Sequence, residues 1–209
     1  MRMYDEMLLP HLINCACGMK TIERQRKKIV PLACGDVLEI GMGSGLNLKH
    51  YNRNQVNHLW GLEPSEGMRK KAQENIAVSN MSVEWLPVLS EKIPLRSETV
   101  DTVVLTYTLC TIAQPHTALS EMRRILKPKG KLLFSEHGLA PEPSVQKWQR
   151  RLNPIWSKLA GGCQLDRHIL NLIESSGFSI EDSHQAYVKG PKVATYQYWG
   201  SAVPNELDN

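Results

Sequence analysis

The sequence predicts an α/β protein: a doubly wound, seven-stranded sheet with an antiparallel C-terminal strand and an N-terminal helical extension. Three observations predict it. Between residues 36 and 136, short apolar or β-branched runs alternate with longer segments of helical periodicity, and such β-α repetition implies a parallel sheet covered by helices on both faces. The apolar run 37–40 passes straight into Gly41-Met42-Gly43-Ser44-Gly45. A strand that ends in such a turn and restarts as a helix opens a nucleotide-sized pocket at the carboxyl edge of the sheet. After Gly177 come two alternating stretches joined only by residues 189–193, and so short a connection pairs them antiparallel.

In chain order, residues 1–35 form the extension. Met7, Leu8, Leu9, Leu12 and Ile13 fit a helix or half-helix broken or started at Pro10. Residues 21–29 read as a helix with Thr21 as candidate N-cap. Its basic run, Arg24 to Lys28, is expected on a solvated face, the alternative being a membrane surface or substrate steering. Strand one covers 36–41, and a first helix opens at 45–51. Strand two, 57–62, ends in Glu63-Pro64-Ser65. A helix over 65–79 follows, with Ser65 as N-cap and Met68, Ala72 and Ile76 on one face. Strand three lies within 82–88, shortened by Pro87, and a loop takes 89–98. Strand four, 100–106, is apolar enough to be buried on both faces. A helix over 116–126, a turn at Lys127-Pro128-Lys129-Gly130 and strand five at 131–136 complete the repeat. Residues 144–160 read as one helix interrupted near Pro154, and 166–176 as another ended by Gly177. Asp166 is its N-cap or, less simply, a base alongside His168. The last strands are 179–189 and 194–203. The whole chain, 1–209, reads as one domain: the extension, a ligand-binding core at 36–136, and substrate-side helices with the last strands at 137–209.

Composition bounds the function. The 209 residues carry a net charge of +4 and 42% hydrophobic residues, ordinary for a globular chain and too mildly basic for a nucleic-acid footprint. No nucleic-acid partner is expected. The odd set Cys15, Cys17, Cys34, Cys110 and Cys163 follows no disulfide framework, which points to reduced thiols in a cytoplasmic protein. Cys15-x-Cys17 is not zinc spacing and no second pair completes it, so no metal is expected. No run approaches the roughly 18 apolar residues of a membrane span. The expected partner is a small molecule, with peripheral membrane contact left open along with oligomeric state.

Two ligand classes use a strand-glycine-helix turn: dinucleotides and S-adenosylmethionine. The dinucleotide fingerprint wants Gly or Ala at the sixth position from Gly41, where this chain has Leu46. Instead the third glycine is Gly45, acidic Glu39 precedes the turn, and strand two ends in Glu63, placed to chelate two ribose hydroxyls. No Tyr-x-x-x-Lys pair is present for short-chain hydride chemistry. An NAD(P)-dependent oxidoreductase and a non-catalytic cofactor-binding module are the alternatives. A nucleic-acid methyltransferase is weaker still, for want of an Asn-Pro-Pro-Tyr-type segment.

With these residues on the page, 36–136 resembles the Rossmann-like core of class I S-adenosylmethionine-dependent methyltransferases. The resemblance rests on 37–45, on Gly61-Leu62-Glu63-Pro64-Ser65, on Glu91-Lys92-Ile93-Pro94-Leu95, on 100–104 and on 124–132. Leu109-Cys110-Thr111-Ile112, Glu136-His137, Trp148 and 162–166 are similar to the branch of thiol methyltransferase-like and quinone-biosynthesis enzymes. The resemblance implies that Gly41, Met42, Gly43, Ser44 and Gly45 line the methionine and ribose portion of S-adenosylmethionine. Glu39 would orient the turn and approach the methionine ammonium. Glu63 would bind the ribose hydroxyls, Pro64 and Ser65 would border the adenine, and Thr106 would sit beneath the methionine. Where relatives carry an acid for the adenine amine, this chain has Leu89, followed by Ser90 and Glu91. Ser90 or a backbone carbonyl would then serve.

The expected reaction is methyl transfer to a small molecule, and the apolar N-terminal segment points to a lipophilic one. The cofactor brings an activated methyl, so the protein supplies position and desolvation. His137 beside Glu136, at the carboxyl edge of strand five, is the candidate base pair; the competing reading is that both cap the turn. Cys163 either faces the pocket or is a packed thiol. Cys110 is expected in the wall under the cofactor. Tyr107 either offers its ring to the sulfonium or is core, and Trp148 and Trp156 either cover the substrate or pack.

Overall fold

The computed structural model describes residues 17–205. The 7–13 segment, and with it the expected first helix and Cys15, lies outside the described residues. The elements run α1 (Lys20–Ile29), β1 (Gly35–Ile40), β2 (Val56–Leu62), α2 (Glu66–Ser79), β3 (Glu84–Leu86), β4 (Val100–Thr106) and α3 (Pro115–Ile125). Then follow β5 (Leu126–His137), α4 (Pro143–Leu159), α5 (Ile169–Ser175), β6 (Phe178–Tyr187), α6 (Lys192–Thr195) and β7 (Tyr196–Pro204). The strands form one sheet in the order β3-β2-β1-β4-β5-β7-β6. The first five strands are parallel, and β7 runs antiparallel to both β5 and β6.

The central strands alternate between two cores. On β1, β4 and β5, Leu38, Ile40, Val103, Leu105, Leu132 and Phe134 face the larger core. There they meet Ala118, Leu119, Met122 and Ile125 of α3 and Ile169 and Ile173 of α5. Val37, Val104 and Leu133 face the other side, against Ile29, Val30, Leu48 and Tyr51. Successive side chains of a strand point to opposite faces, so burial on both sides explains the unbroken apolar runs. The chain goes from β1 outward to β2 on one side and later returns to β4 on the other. The crevice above their carboxyl ends is therefore the topological switch point, where open α/β sheets bind ligands.

Five local expectations are corrected. The first helix, expected at 45–51, is only a 3-10 turn, Leu48–His50. Gly41, Gly43 and Gly45 all have positive φ, at 64°, 58° and 75°, which winds the chain left-handed three times. Asn47 and Tyr51 then turn inward to hydrogen-bond Glu39 instead of propagating a helix. The turn expected at 127–130 is a bulge inside β5: Val100 pairs with Leu126, but Thr102 pairs with Lys131. Asp166 does not cap α5, which starts at Ile169 after His168. The preceding Arg167 reaches instead to the carbonyls of Leu109 and Ile112. Thr21 lies inside α1, whose N-cap position is Met19. By contrast Ser65 caps α2 as expected, its hydroxyl accepting from the Met68 N–H at 3.3 Å. The interruption expected near Pro154 is not found: α4 runs on continuously, with Pro154 on its solvent side. Among the described residues no helix is long and apolar enough to cross a membrane.

Candidate functional site

A cavity of about 450 Å³ opens over the carboxyl ends of β1, β2 and β4. Of the residues expected at the cofactor, Gly41, Met42, Gly43, Ser44, Glu63, Pro64, Ser65, Leu89, Ser90 and Thr106 all line it. β3, β2, β1 and β4 lie side by side, so their tips span about 14 Å at the usual strand spacing. The cavity is therefore a trough running from Leu89 past Glu63 and the glycine turn to Thr106.

The turn is shaped for close approach. A Cβ on Gly41 would lie 2.4 Å from Thr108 Cγ2. Thr108 is itself fixed by donating to the Ile40 carbonyl at 3.1 Å. Glu63 braces the middle of the trough: Oε2 accepts from the Gly43 N–H at 2.9 Å and Oε1 from the Ser65 N–H at 2.8 Å. Burial pushes its carboxyl above the usual range while these two amides pull it back down. Each oxygen keeps a lone pair for a ligand hydroxyl.

Glu39 and Gly45 do not line the cavity. Glu39 is 1% exposed, and its oxygens accept from Asn47 Nδ2 at 3.0 Å and the Tyr51 hydroxyl at 2.7 Å. Burial pushes its pKa up to about 7. Its observed task is to hold the turn from behind. Gly45 faces away from the cavity, where a Cβ would meet Leu48 of the 3-10 turn at 2.7 Å and Ala72 and Asn75 of α2 at 3.5 Å.

Arg26 is the residue that sequence reasoning missed. Expected on a solvated face, it is 6% exposed and lines the cavity. Its Nη1 donates to Asn47 Oδ1 at 2.7 Å and Thr106 Oγ1 at 2.8 Å, and its guanidinium lies 5.4 Å from the Tyr107 ring centroid. Among the described residues its Nε is buried without a partner. The signal was present in the helix: Arg26 sits four positions after Ile22 and three before Ile29, so it shares their apolar face. Tyr107, Thr108, Thr111, Ile112, Ala113 and Cys17 line the same end of the trough. Tyr107 holds a positive φ of 54°, a strained conformation found disproportionately at functional sites. Its hydroxyl donates to Gln197 Oε1 at 2.7 Å.

Neither His137 nor Glu136 reaches the cavity. Glu136 is fully buried, and Oε1 accepts from the N–H groups of Thr108 at 2.7 Å and Leu109 at 3.0 Å. It pins the segment after β4 from below, which is the capping reading of this residue. His137 Nε2 lies 3.1 Å from Cys163 Sγ. Cys163 and Cys110 also stand outside the cavity, as do Trp148 and Trp156, which are 55% and 39% exposed on α4.

The β3 end of the trough carries a carboxylate. Glu91 lines the cavity beside Ser90, two residues after the position where Leu89 replaces it. The trough thus offers a cation at the β4 end, a ribose-sized pair of acceptors in the middle and polar acceptors at the β3 end. That donor set fits S-adenosylmethionine, with its carboxylate, ribose diol and adenine amine.

Comparison with known proteins agrees. The family model described as methyltransferase domain matches residues 38–134. The thiol S-methyltransferase TMT1B of Rattus norvegicus is 32% identical over 148 residues, covering 68% of this chain and 59% of that protein. A ubiquinone/menaquinone biosynthesis C-methyltransferase, UbiE, of Campylobacter jejuni is 30% identical over 124 residues, covering 58% and 49%. The chain thus spans less than two thirds of the length of these relatives. The N-methyltransferase NodS from Bradyrhizobium japonicum, solved with S-adenosyl-L-homocysteine, shares the fold with a TM-score of 0.67 at 14% identity over 90% of both chains. The ordered glycine turn, the sheet order and these likenesses together make residues 38–134 a methyltransferase domain of the class I S-adenosylmethionine-dependent kind.

Proposed function

We propose that this chain methylates a small thiol. The carrying observation is what the acceptor end of the trough lacks. Among the described residues, the titratable groups lining the cavity are Cys17, Arg26, Glu63, Glu91 and Tyr107. Glu63 and Glu91 belong to the ribose and adenine ends. Burial raises the thiol of Cys17 and the phenol of Tyr107 above their usual ranges, so neither takes a proton near neutral pH. Glu136 and His137 are engaged elsewhere. A site whose described residues include no base suits a nucleophile that ionises by itself, and a thiol with pKa near 8.5 needs least help. An alcohol or carbon acid would need a positioned base. The thiol methyltransferase relatives support the same choice.

When bound, S-adenosylmethionine supplies the activated methyl on its sulfonium. The chain's own residues do the rest. Arg26 would hold the carboxylate, Glu63 the ribose hydroxyls, and Ser90 or Glu91 the adenine amine, with Glu39, Asn47 and Tyr51 keeping the turn in shape behind them. Tyr107, Thr111, Ile112 and Ala113 would wall the acceptor and exclude water, in which position and desolvation are the main contributions. The test is methyl transfer from labelled S-adenosylmethionine to an aryl thiol, the matching phenol and aniline, and a quinol. Transfer to the thiol above the others is expected. Transfer to the quinol with none to the thiol would overturn the substrate class.

A further inference from the structure

Outside the cavity, three chain segments converge on one cluster of soft ligands. Cys110 follows β4, His137 ends β5, and Cys163 follows the Gly161-Gly162 turn after α4. His137 Nε2 lies 3.1 Å from Cys163 Sγ, and Cys163 Sγ lies 3.7 Å from Cys110 Sγ. All three ligand atoms fall within 4.8 Å of one another.

We propose that Cys110, His137 and Cys163 form a binding site for a thiophilic divalent cation, zinc above all, with one coordination position left open. The inference goes beyond the methyl-transfer reading and does not depend on it.

Metal–ligand distances carry the argument. With Zn–S near 2.3 Å and Zn–N near 2.05 Å, a tetrahedral ion sets its sulfurs about 3.8 Å apart and nitrogen and sulfur about 3.6 Å apart. The observed 3.7 Å between sulfurs matches the first figure, and the 3.1 Å from nitrogen to sulfur opens to the second by a small ring rotation. The two cysteine segments are already joined by backbone, since the Gln164 N–H donates to the Cys110 carbonyl at 2.9 Å. Outer groups hold the two cysteines: the Trp156 indole N–H donates to Cys163 Sγ at 3.4 Å, and Arg167 grips the Leu109 and Ile112 carbonyls on either side of Cys110, while His137 Nδ1 is buried without a partner among the described residues. Such outer contacts orient metal ligands. Two thiolates and one divalent cation leave the centre without net charge, which suits a cluster whose Cys110 is 2% exposed. Entry runs by Cys163, which is half-buried beside the exposed Trp156. Three protein ligands with a free fourth position are the pattern of zinc sites that exchange a ligand, not of closed structural ones.

The test uses the full chain, reduced and stripped of metal, titrated with cobalt(II). One equivalent is expected to give the intense visible bands of tetrahedral cobalt and a thiolate charge-transfer band. Equimolar zinc should bleach both. Cys163→Ser and Cys110→Ser should each lose the charge-transfer intensity, and His137→Gln should weaken uptake at least ten-fold. Zinc should also shield two thiols from alkylation, mapped by mass spectrometry to Cys110 and Cys163. A wild-type spectrum that stays that of hydrated cobalt overturns the site whatever the variants do. So does a tetrahedral spectrum that survives in both serine variants, or an alkylation pattern that zinc leaves unchanged.

Discussion

Removing the Arg26 guanidinium should weaken ligands that carry the amino-acid moiety and spare those that do not. The side chain is 6% exposed, its Nη1 is shared between Asn47 and Thr106, and among the described residues its Nε is buried without a partner at the cavity wall. A hydrogen bond to a charged group in such a place contributes about 1.5–3 kcal/mol, or about 10- to 150-fold in Kd. Arg26→Met should therefore bind S-adenosylhomocysteine that much more weakly by calorimetry. Methylthioadenosine keeps the adenine and ribose but has neither carboxylate nor ammonium, so its affinity should change by less than about three-fold. The second ligand also controls for damage to the turn, because Arg26 reaches Asn47 and through it Glu39. Equal losses for both ligands would refute a carboxylate role and leave Arg26 as a brace only.

Glu63→Gln should show no such selectivity. An amide offers one acceptor oxygen and sets its NH2 against either the Gly43 or the Ser65 N–H, so both ligands, which share the ribose, should weaken about ten-fold or more. Gly41→Ala should lower the melting temperature, since φ of 64° costs an L-residue about 1–2 kcal/mol and the new Cβ meets Thr108. Adding Thr108→Ala should recover the steric part alone, and no recovery would mean the turn does not close on Thr108. Glu39 gives a pH signature. Its folded pKa of about 7 exceeds the ordinary 4.5, so the folded state holds the proton longer. The resulting stability, about 3 kcal/mol, is full below pH 4.5 and is lost as pH rises towards 7. Glu39→Gln should flatten that slope in urea melts at pH 5 and pH 8; an unchanged slope would assign it to other carboxyls.

The legible parts of this protein were those written locally. Strand four was read to the residue because Val100 to Thr106 is apolar on both faces. Ser65 was identifiable as a cap, and ten of the twelve expected cofactor residues line the trough, because turn, acid and cap follow one another in sequence. What failed was set by tertiary contact. The first helix was lost to Asn47 and Tyr51 turning back to Glu39. Arg26 of α1 is the cation that the trough presents at its β4 end. Arg26 looked solvated because charge outweighed the apolar face it shares with Ile22 and Ile29. Glu136 and His137 were at the correct edge of the sheet, but the 107–113 segment takes the carboxylate from beneath and the imidazole turns to Cys163. The thiol–imidazole cluster was invisible for the same reason, since its three ligands come from segments far apart in sequence.

The central claim is that the trough is built for S-adenosylmethionine. The most direct measurement is calorimetric titration of the chain with S-adenosylhomocysteine and, in parallel, with NADH. One-to-one, micromolar-range binding of the first is expected, and none of the second. Binding of NADH alone, or of neither, would contradict it.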